Sequence, residues 1–257
     1  MARRRVPFLP DNAGPASLPD PEEALTLPNG LLAAGGALTP EWLLGAYRRG
    51  IFPWFSAGQP VLWWSPDPRM VLPVAQLKIS RSLRKTLRKF IATPGCEVRM
   101  DTAFEQVMQH CAQRDGLSGR HGTGTWIVPE MQQAYGQWHR MGCVHSVETW
   151  VQGELVGGLY AVALGHMVFG ESMFALQPDA SKIALCALVA HCRKAGVTLI
   201  DCQQNTAHLA SLGAHEIPRA QFELHLRDAL GTPDVQTPTI QAAWTYDAGL
   251  WELLKTF

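Results

Sequence analysis

The sequence has no long uninterrupted apolar segment. Its longest apolar runs, such as residues 157–164, fall far short of the roughly 20 residues that a membrane-spanning helix requires. Arginines at positions 3–5 are followed by a proline-containing stretch, where a secretion signal would need continuous apolar residues. We therefore expect a cytoplasmic protein without a membrane anchor. The 257 residues suffice for one large domain or two modest ones.

Pairs of the Cys-x-x-Cys type are also absent, although the chain contains six cysteines. Because these are scattered along a chain too long to need disulfides, we expect reduced thiols. A zinc site made of His191, Cys192 and Cys202 would match no common ligand spacing, so we predict no metal. Lys plus Arg and Asp plus Glu both number 22, so the net charge gives no sign of a nucleic-acid partner.

Prolines punctuate the first 70 residues. Residues 1–30 contain six of them and are predicted to form an extended, wrapping segment. A first helix is predicted to begin at Thr39-Pro40 and to end at Gly50. The aromatic stretches 50–55 and 63–69 contain prolines as well, and we predict loops for both.

One predicted helix has a basic face. The segment from Lys78 to Lys89 contains six basic residues and no acidic one, and Ser80 is placed to cap a helix. The apolar residues of this segment fall on one face and the basic residues on the other, namely Arg81, Arg84, Lys85, Arg88 and Lys89. Solvated helix faces usually mix both signs of charge, so we predict phosphate binding here, with membrane-surface binding as the alternative.

The remainder of the chain alternates between helical and strand patterns. The predicted elements are helices 102–113 and 129–141, strands 144–151, 154–164 and 167–173, a helix capped by Ser181 and ended by Gly196, strand 197–200, and a helix near 219–230. This order predicts an α+β fold with a mostly antiparallel sheet flanked by helices, and an N-acyltransferase-like fold fits it. However, the Gly-rich pyrophosphate loop of acetyl-CoA enzymes is missing at residues 177–181.

Two carboxylates lie in apolar surroundings. Asp201 follows the buried strand 197–200, and alternation along the strand places Gln203 on the same face. Such a carboxylate is costly unless it is paired or used, so chemistry and structural hydrogen bonding are both open for Asp201. Glu171 invites the same interpretation. Cys202 points away from Asp201 and no His is placed to activate it, which disfavours a thiol nucleophile.

Six uncommon motifs occur in order between about residues 20 and 225. They are Leu27-Pro28-Asn29-Gly30-Leu31-Leu32, Gly50-Ile51-Phe52-Pro53-Trp54-Phe55, Trp63-Trp64-Ser65-Pro66-Asp67-Pro68-Arg69, Gly170-Glu171-Ser172-Met173-Phe174, Leu199-Ile200-Asp201-Cys202-Gln203 and Ser211-Leu212-Gly213-Ala214. On these motifs the sequence resembles the bacterial leucyl/phenylalanyl-tRNA–protein transferase family.

The resemblance implies an activity and a domain organisation. The activity is transfer of Leu or Phe, and sometimes Met, from aminoacyl-tRNA to proteins that begin with Arg or Lys, which marks them for degradation by the N-end rule pathway. The organisation is a small amino-terminal domain joined to an acetyltransferase-like domain. We place these at residues 1–67 and 68–235, with a carboxyl-terminal tail at 236–257.

The resemblance also implies roles for individual residues. Asp201 and Gln203 match the proposed catalytic pair, and Glu171 is a candidate to assist them. The other implied assignments are Trp54 and Trp126 at the terminal adenosine, Arg81, Arg84, Lys85 and Arg88 at the acceptor stem, and Leu159, Met173, Leu185 and Ile200 in an apolar pocket for the donor side chain. The match is looser at Leu159, and neither the loop 116–124 nor the tail receives an assignment.

The chemistry demands little of the protein. The donor is an activated ester, and roughly a tenth of an α-amine is neutral at pH 7. Because orientation alone can contribute about 7 to 11 kcal/mol, we predict that no cofactor is needed. Asp201 is expected to orient or deprotonate the amine, as a base or as an electrostatic anchor. A CoA-dependent N-acyltransferase and a non-catalytic RNA-binding module are the alternatives, and a monomer is expected.

Overall fold

A four-stranded sheet forms the amino-terminal part of the computed structural model, which describes residues 5–117, 127–231 and 244–254. Its strands are β1 (Phe8–Leu9), β2 (Leu31–Gly35), β3 (Phe52–Pro53) and β4 (Leu62–Trp64), in the order β1, β2, β4, β3. Helix α1 (Pro40–Tyr47) begins where it was predicted, because the Thr39 side chain accepts a hydrogen bond from the Trp42 N–H at 3.4 Å.

The two aromatic stretches predicted as loops contain strand residues instead. Phe52 pairs with Trp64 and Pro53 with Trp63 in the antiparallel pair β3–β4. Pro53 is tolerated because β3 lies at the edge of its sheet, where a residue without an N–H costs no ladder hydrogen bond. The second stretch ends at Arg69, which opens the next strand directly after a proline. The loop predictions were wrong because proline excludes central strand positions only.

A seven-stranded sheet forms the larger part of the molecule. Its strands are β5 (Arg69–Pro73), β6 (Cys96–Met100), β7 (Val144–Val151), β8 (Glu154–Leu164), β9 (Met167–Ala175), β10 (Leu199–Gln203) and β11 (His215–Ile217). They lie in the order β11, β5, β10, β9, β8, β7, β6, and the pair β9–β10 alone is parallel within this sheet as described. The predicted antiparallel meander 144–173 is confirmed, as is the α+β class.

Helices cover both faces of this sheet. They are α2 (Arg81–Ala92), α3 (Phe104–Leu117), α4 (Pro129–Arg140), α5 (Ala180–Lys194), α6 (Ala207–Ser211) and α7 (Arg219–Leu230). Helices α2 and α5 pack on what we name the α5 face, whose core contains Leu87, Leu185 and Ile200. Helices α1, α3, α4 and α7 pack on the α4 face, whose core contains Tyr135 and Phe169. The sheet thus separates two cores.

Two predicted helix starts were wrong. Helix α5 begins at Ala180, and Ser181 lies buried in its first turn, because Asp179 occupies the N-cap position with φ +64°. Helix α3, predicted at 102–113, begins at Phe104, and the carboxylate of the preceding Asp101 does not cap it. That carboxylate accepts hydrogen bonds from His145 and from the Ser146 N–H, while Glu148 on β7 accepts the Thr102 and Ala103 N–H groups at 2.9 and 2.8 Å. At the start of α3, a long-range contact therefore replaces a local cap.

The strand predicted at 197–200 begins and ends later. The Val197 N–H donates a hydrogen bond to the Cys192 carbonyl at 2.8 Å and so completes the turn that ends α5. Strand β10 therefore begins only at Leu199. Asp201 consequently lies within the strand and not after it.

The last described segment, residues 244–254, packs on the α5 face. Trp244 and Trp251 are buried in its core, against α5. Within the described ranges, no helix is long and apolar enough to cross a membrane. The four-stranded sheet ends at Trp64 and the seven-stranded sheet begins at Arg69, while the domain limits 1–67, 68–235 and 236–257 stay predictions.

Candidate active site

The neighbouring strands β9 and β10 each contain a β-bulge. On β9, Ser172 pairs with Tyr160 and Gly170 with Ala161, so that Glu171 is the extra residue. On β10, Asp201 pairs with Val71 and Gln203 with Met70, so that Cys202 is the extra residue. Bulges re-aim side chains and are common beside active sites. The two bulges lie side by side because β9 and β10 pair in parallel.

The bulges bring Glu171 and Gln203 into contact. The Gln203 Nε2 donates a hydrogen bond to Glu171 Oε1 at 3.1 Å. Gln203 has φ +62°, in the left-handed region. The direction of its side chain is therefore not set by the simple alternation along β10 that the sequence predicted. The position of Gln203 results from the bulge, and no local sequence pattern predicted that bulge.

Asp201 is buried and paired. Its side chain has no exposed area, and it accepts a two-pronged interaction from Arg69, with Nε to Oδ1 at 2.8 Å and Nη2 to Oδ2 at 2.7 Å. The backbone N–H of Gln203 also donates to Oδ1 at 2.9 Å. The carboxylate thus ties β5 to the bulge of β10. Arg69 is named in the sequence motif, but its partner lies 132 positions away and was missed.

Glu171 is half-buried and receives a second hydrogen bond on the same oxygen as the Gln203 amide. The Tyr47 hydroxyl on α1 donates to Oε1 at 2.8 Å, and the hydroxyl oxygens of Tyr47 and Tyr135 are 2.5 Å apart. Both tyrosines are buried, and burial raises the pKa of each well above its ordinary value. Neither was predicted, since each fits an apolar helix face by its spacing.

The pKa of the Glu171 carboxyl is raised from its ordinary value to about 8. Burial is the largest cause, because it penalises the charged form, and the negative charge of Asp201 adds to it. The hydrogen bonds from Tyr47 and Gln203 and the positive charge of Arg69 act in the opposite direction. A carboxyl that titrates near pH 8 exchanges protons readily with an α-amine, whose reference pKa is also near 8.

The four residues assigned to the apolar pocket share the α5 face. Leu159, Leu185 and Ile200 are buried, with 3%, 4% and 2% of their surface exposed, whereas Met173 is half-buried. Ile200 directly precedes Asp201 on β10, so the group lies across the sheet from the core that contains Tyr47. The structure therefore places all four in the core of one sheet face, with Leu159 and Met173 paired across β8 and β9, and Met173 is the most exposed of them.

The basic helix α2 has the predicted two faces. Ser80 caps it by accepting the Leu83 N–H at 3.2 Å, and its apolar residues enter the core of the α5 face. The basic residues on its outer face are Arg81, Lys85, Arg88 and Lys89, which are exposed, and Arg84, which is half-buried. Thr86 donates to Asp179 at the start of α5 at 3.2 Å, so α2 lies beside α5 and on the pocket side of the sheet.

Of the two tryptophans assigned to the terminal adenosine, Trp54 lies within the described residues. Trp54 is half-buried and packs edge-on against Trp64 with ring centroids 5.4 Å apart, and its carbonyl accepts the Trp64 indole N–H at 2.7 Å. Trp126 lies outside the described residues, as does most of the loop 116–124.

Cysteine chemistry has no support at this site. Burial and the negative charge of Asp201 raise the pKa of the Cys202 thiol far above its ordinary value, so the thiol form prevails. In the part of the chain that the structure describes, no three His, Cys, Asp or Glu side chains are grouped to hold a metal.

The chain matches two family models in succession. The model described as leucyl/phenylalanyl-tRNA protein transferase N-terminal domain matches residues 36–67, and that described as leucyl/phenylalanyl-tRNA protein transferase matches residues 71–227. The leucyl/phenylalanyl-tRNA–protein transferase of Methylibium petroleiphilum is 58% identical over 243 residues, which cover 93% of this chain and 88% of that protein. The same-named protein of Leptothrix cholodnii is 54% identical over 254 residues, covering 97% and 95%.

Two solved structures show a more distant similarity. FemX aligns with a TM-score of 0.42 and 10% identity over 70% of this chain and 66% of its own. A GCN5-related N-acetyltransferase from Kribbella flavida aligns with a TM-score of 0.30 and 12% identity over 69% and 60%. Similarity at this level supports no conclusion about chemistry.

Proposed function

The chain belongs to the leucyl/phenylalanyl-tRNA–protein transferase family of aminoacyltransferases, and from that premise we propose that it transfers Leu, Phe or Met from aminoacyl-tRNA to proteins that begin with Arg or Lys. The observation that carries the proposed chemistry is the contact between Gln203 and Glu171 at the paired bulges, where a carboxyl titrates near the pKa of an α-amine.

In the proposed reaction, the acceptor α-nitrogen attacks the carbonyl carbon of the aminoacyl ester. The peptide C–N bond forms, the ester C–O bond breaks, and the ribose oxygen takes up a proton as it leaves. The Glu171 carboxylate accepts the proton that the amine loses, a transfer that is nearly neutral in free energy because the two pKa values are close, and the Glu171 carboxyl then supplies that proton to the leaving ribose oxygen. Gln203, which donates its amide to Glu171, presents its amide oxygen to the acceptor ammonium group.

We assign Asp201 a positioning role and not the role of general base. Arg69 and the Gln203 N–H already occupy its oxygens, and the side chain is fully buried, which supports a role through Gln203 and not through the substrate. Electrostatic anchoring of the amine and general base catalysis were both open from the sequence, and this pairing favours a positioning role over either direct one.

The acceptor stem and the aminoacyl side chain of the donor are proposed to bind on the α5 face. The exposed cations of α2 suit the phosphates of an acceptor stem, and α2 packs beside the α5 helix that contributes Leu185 to the apolar group. The aminoacyl side chain would enter that group at Met173. Trp54 and Trp126 are proposed to contact the terminal adenosine, with the half-buried ring of Trp54 available for stacking.

The wider setting is proposed on family membership. The enzyme would act as a monomer in the cytoplasm, without a cofactor, and mark its acceptors for degradation by the N-end rule pathway. No cofactor is needed because the ester is already activated and orientation of the two substrates supplies most of the required rate.

The proposal is tested with the purified full chain, labelled Phe-tRNA and a peptide that begins with Arg. We expect extension of the peptide by one Phe at its amino terminus. The same peptide with an acetylated amino terminus, and one that begins with Glu, are the matched controls and should stay unlabelled. Equal binding of charged and uncharged tRNA without product would instead support an RNA-binding module, and consumption of acetyl-CoA an N-acetyltransferase.

A further inference from the structure

Arg69 is a buried cation with a hydrogen-bond partner for each of its three guanidinium nitrogens. Its side chain is 1% exposed, its Nε and Nη2 contact Asp201, and its Nη1 donates to the Gly50 carbonyl at 3.0 Å. The guanidinium lies between two aromatic rings, 4.8 Å from the centroid of Phe52 and 4.7 Å from that of Phe222. The residue therefore joins β3, β5, β10 and α7.

Stability alone is a weak reason for such a pair. Two charges lose their hydration on burial, and replacing a buried pair by apolar residues is often neutral or stabilising. Arg69 differs from a simple structural ion pair because its partner is hydrogen-bonded onward to the candidate site. Asp201 Oδ1 also accepts the Gln203 N–H, and the Gln203 amide reaches Glu171. One chain of contacts thus runs from Arg69 to the carboxyl that titrates near pH 8.

We propose that Arg69 is a positioning residue for aminoacyl transfer: its two-pronged contact holds Asp201, and Asp201 holds the β10 bulge that presents Gln203 to Glu171 and the acceptor amine. The planar guanidinium is suited to this role because it fixes both carboxylate oxygens at once, whereas a lysine ammonium would bind as a point charge. The inference rests on the proposed function.

The test uses two variants of the full chain and one control. R69K keeps the positive charge and removes the two-pronged contact with Asp201. R69M/D201N removes both charges and so leaves no unpaired buried ion. R49K is the matched control, because Arg49 also donates to backbone carbonyls, those of Leu18 and Pro19, yet has no contact with the site among the described hydrogen bonds. Folding is checked by circular dichroism and thermal unfolding.

We expect both site variants to lose kcat roughly a hundred-fold while the KM values for Phe-tRNA and the Arg-starting peptide stay close to wild type, since small displacements have such effects. R49K should be fully active. The pH at which kcat rises should also move upward, because Glu171 loses the Gln203 hydrogen bond that lowers its pKa. The titratable or charged groups that face Glu171 are Tyr47 from α1, Tyr135 from α4, Asp201 from β10 and Arg69 from β5.

Different results would contradict the proposed function and the positioning role of Arg69. A wild-type chain that makes no peptide bond would overturn the function and, with it, the inference. If the wild type is active and folded R69M/D201N or R69K keeps the wild-type kcat and pH profile, the pair only stabilises the fold and the positioning role is wrong.

Discussion

Tyr47 on α1 donates its hydroxyl hydrogen to Glu171 on β9 at 2.8 Å, although 124 positions separate the two residues. The contact joins the amino-terminal part of the chain to the bulge at the candidate site. It also stabilises the charged form of a carboxyl whose pKa is raised by burial. The state of Glu171 at neutral pH thus depends on a residue outside the seven-stranded sheet.

Replacing Glu171 by Gln tests whether the carboxyl takes up the amine proton. The change keeps the shape of the side chain and removes its basicity, so the single-turnover transfer rate should fall by about a hundred-fold or more. Affinity for Phe-tRNA, measured by filter binding, should stay at the wild-type value. Glu154→Gln, at the exposed start of β8, is the control and should be fully active. A folded Glu171→Gln enzyme of normal rate would remove Glu171 from the mechanism.

The pH dependence of transfer should report the Glu171 carboxyl. Its pKa is raised to about 8, so the carboxylate fraction, and with it the rate, should increase as the pH rises through about 8. Tyr47→Phe removes a hydrogen bond that lowers this pKa, and the rise should move to higher pH. Tyr135→Phe leaves the direct contact in place and should move it less. Using the same Arg-starting peptide throughout keeps the contribution of the acceptor amine constant, and coincident profiles for all three proteins would contradict the assignment.

Local patterns predicted much of this fold. The bounds Val144–Val151 and Glu154–Leu164 match the prediction, because alternation and the turn at Gln152-Gly153 are encoded by neighbouring residues. The two-faced character of α2 was predictable for the same reason. Helix caps supplied from a distance, such as the Glu148 carboxylate at the start of α3, were not.

The candidate site depended on contacts that no local pattern encodes. Asp201 and Gln203 were identified through family resemblance and an apolar strand, but the partner that neutralises Asp201 comes from β5. The bulge at Glu171 exists only through pairing with β8 and cannot be inferred from β9 alone. The sequence was therefore sufficient to name the residues of the candidate site, but it did not show which of them faces the substrate.

Reversing the charge of Arg84 and Arg88 should weaken tRNA binding and flatten its salt dependence. Each phosphate contact contributes nearly one unit to the slope of log affinity against log salt, so the double variant should lose up to about two units. Arg140→Glu on the exposed end of α4, on the other face of the sheet, is the control and should leave the slope unchanged. Unaltered affinity and slope for the α2 variant would rule out this face as the acceptor-stem site.

Met173→Ala should shift donor preference toward the larger Phe. The side chain is the half-buried member of the apolar group, so truncation enlarges the entrance without opening a large cavity in the core. Pockets that discriminate by a methylene or two typically change preference by roughly ten- to two-hundred-fold. Competition between Leu-tRNA and Phe-tRNA measures the ratio, and Met141→Ala, at a site that is 56% exposed, serves as the control. An unchanged ratio in a folded protein would end the pocket assignment.

His191 should make the protein less stable in acid. Its ring packs against Trp244 with centroids 4.5 Å apart, and its pKa is lowered to about 4, first by burial and then by the positive charges of His145 and Lys194, with Asp101 opposing them. The unfolded chain binds a proton at this position below about pH 6.5, whereas the folded chain does so only below about 4, so the free energy of unfolding should fall as the pH falls through that interval.

The loss attributable to His191 is on the order of 3 kcal/mol, since one pKa unit corresponds to about 1.4 kcal/mol. His191→Phe keeps a ring against Trp244 and cannot titrate, so urea unfolding between pH 4 and 6.5 should show a flatter dependence than the wild type. The control is His215→Phe, because His215 is exposed on β11 and its replacement should leave the slope as it is. Equal slopes for wild type and His191→Phe would show that another group governs acid unfolding, and the packing of Trp244 on α5 would then carry no pH dependence of its own.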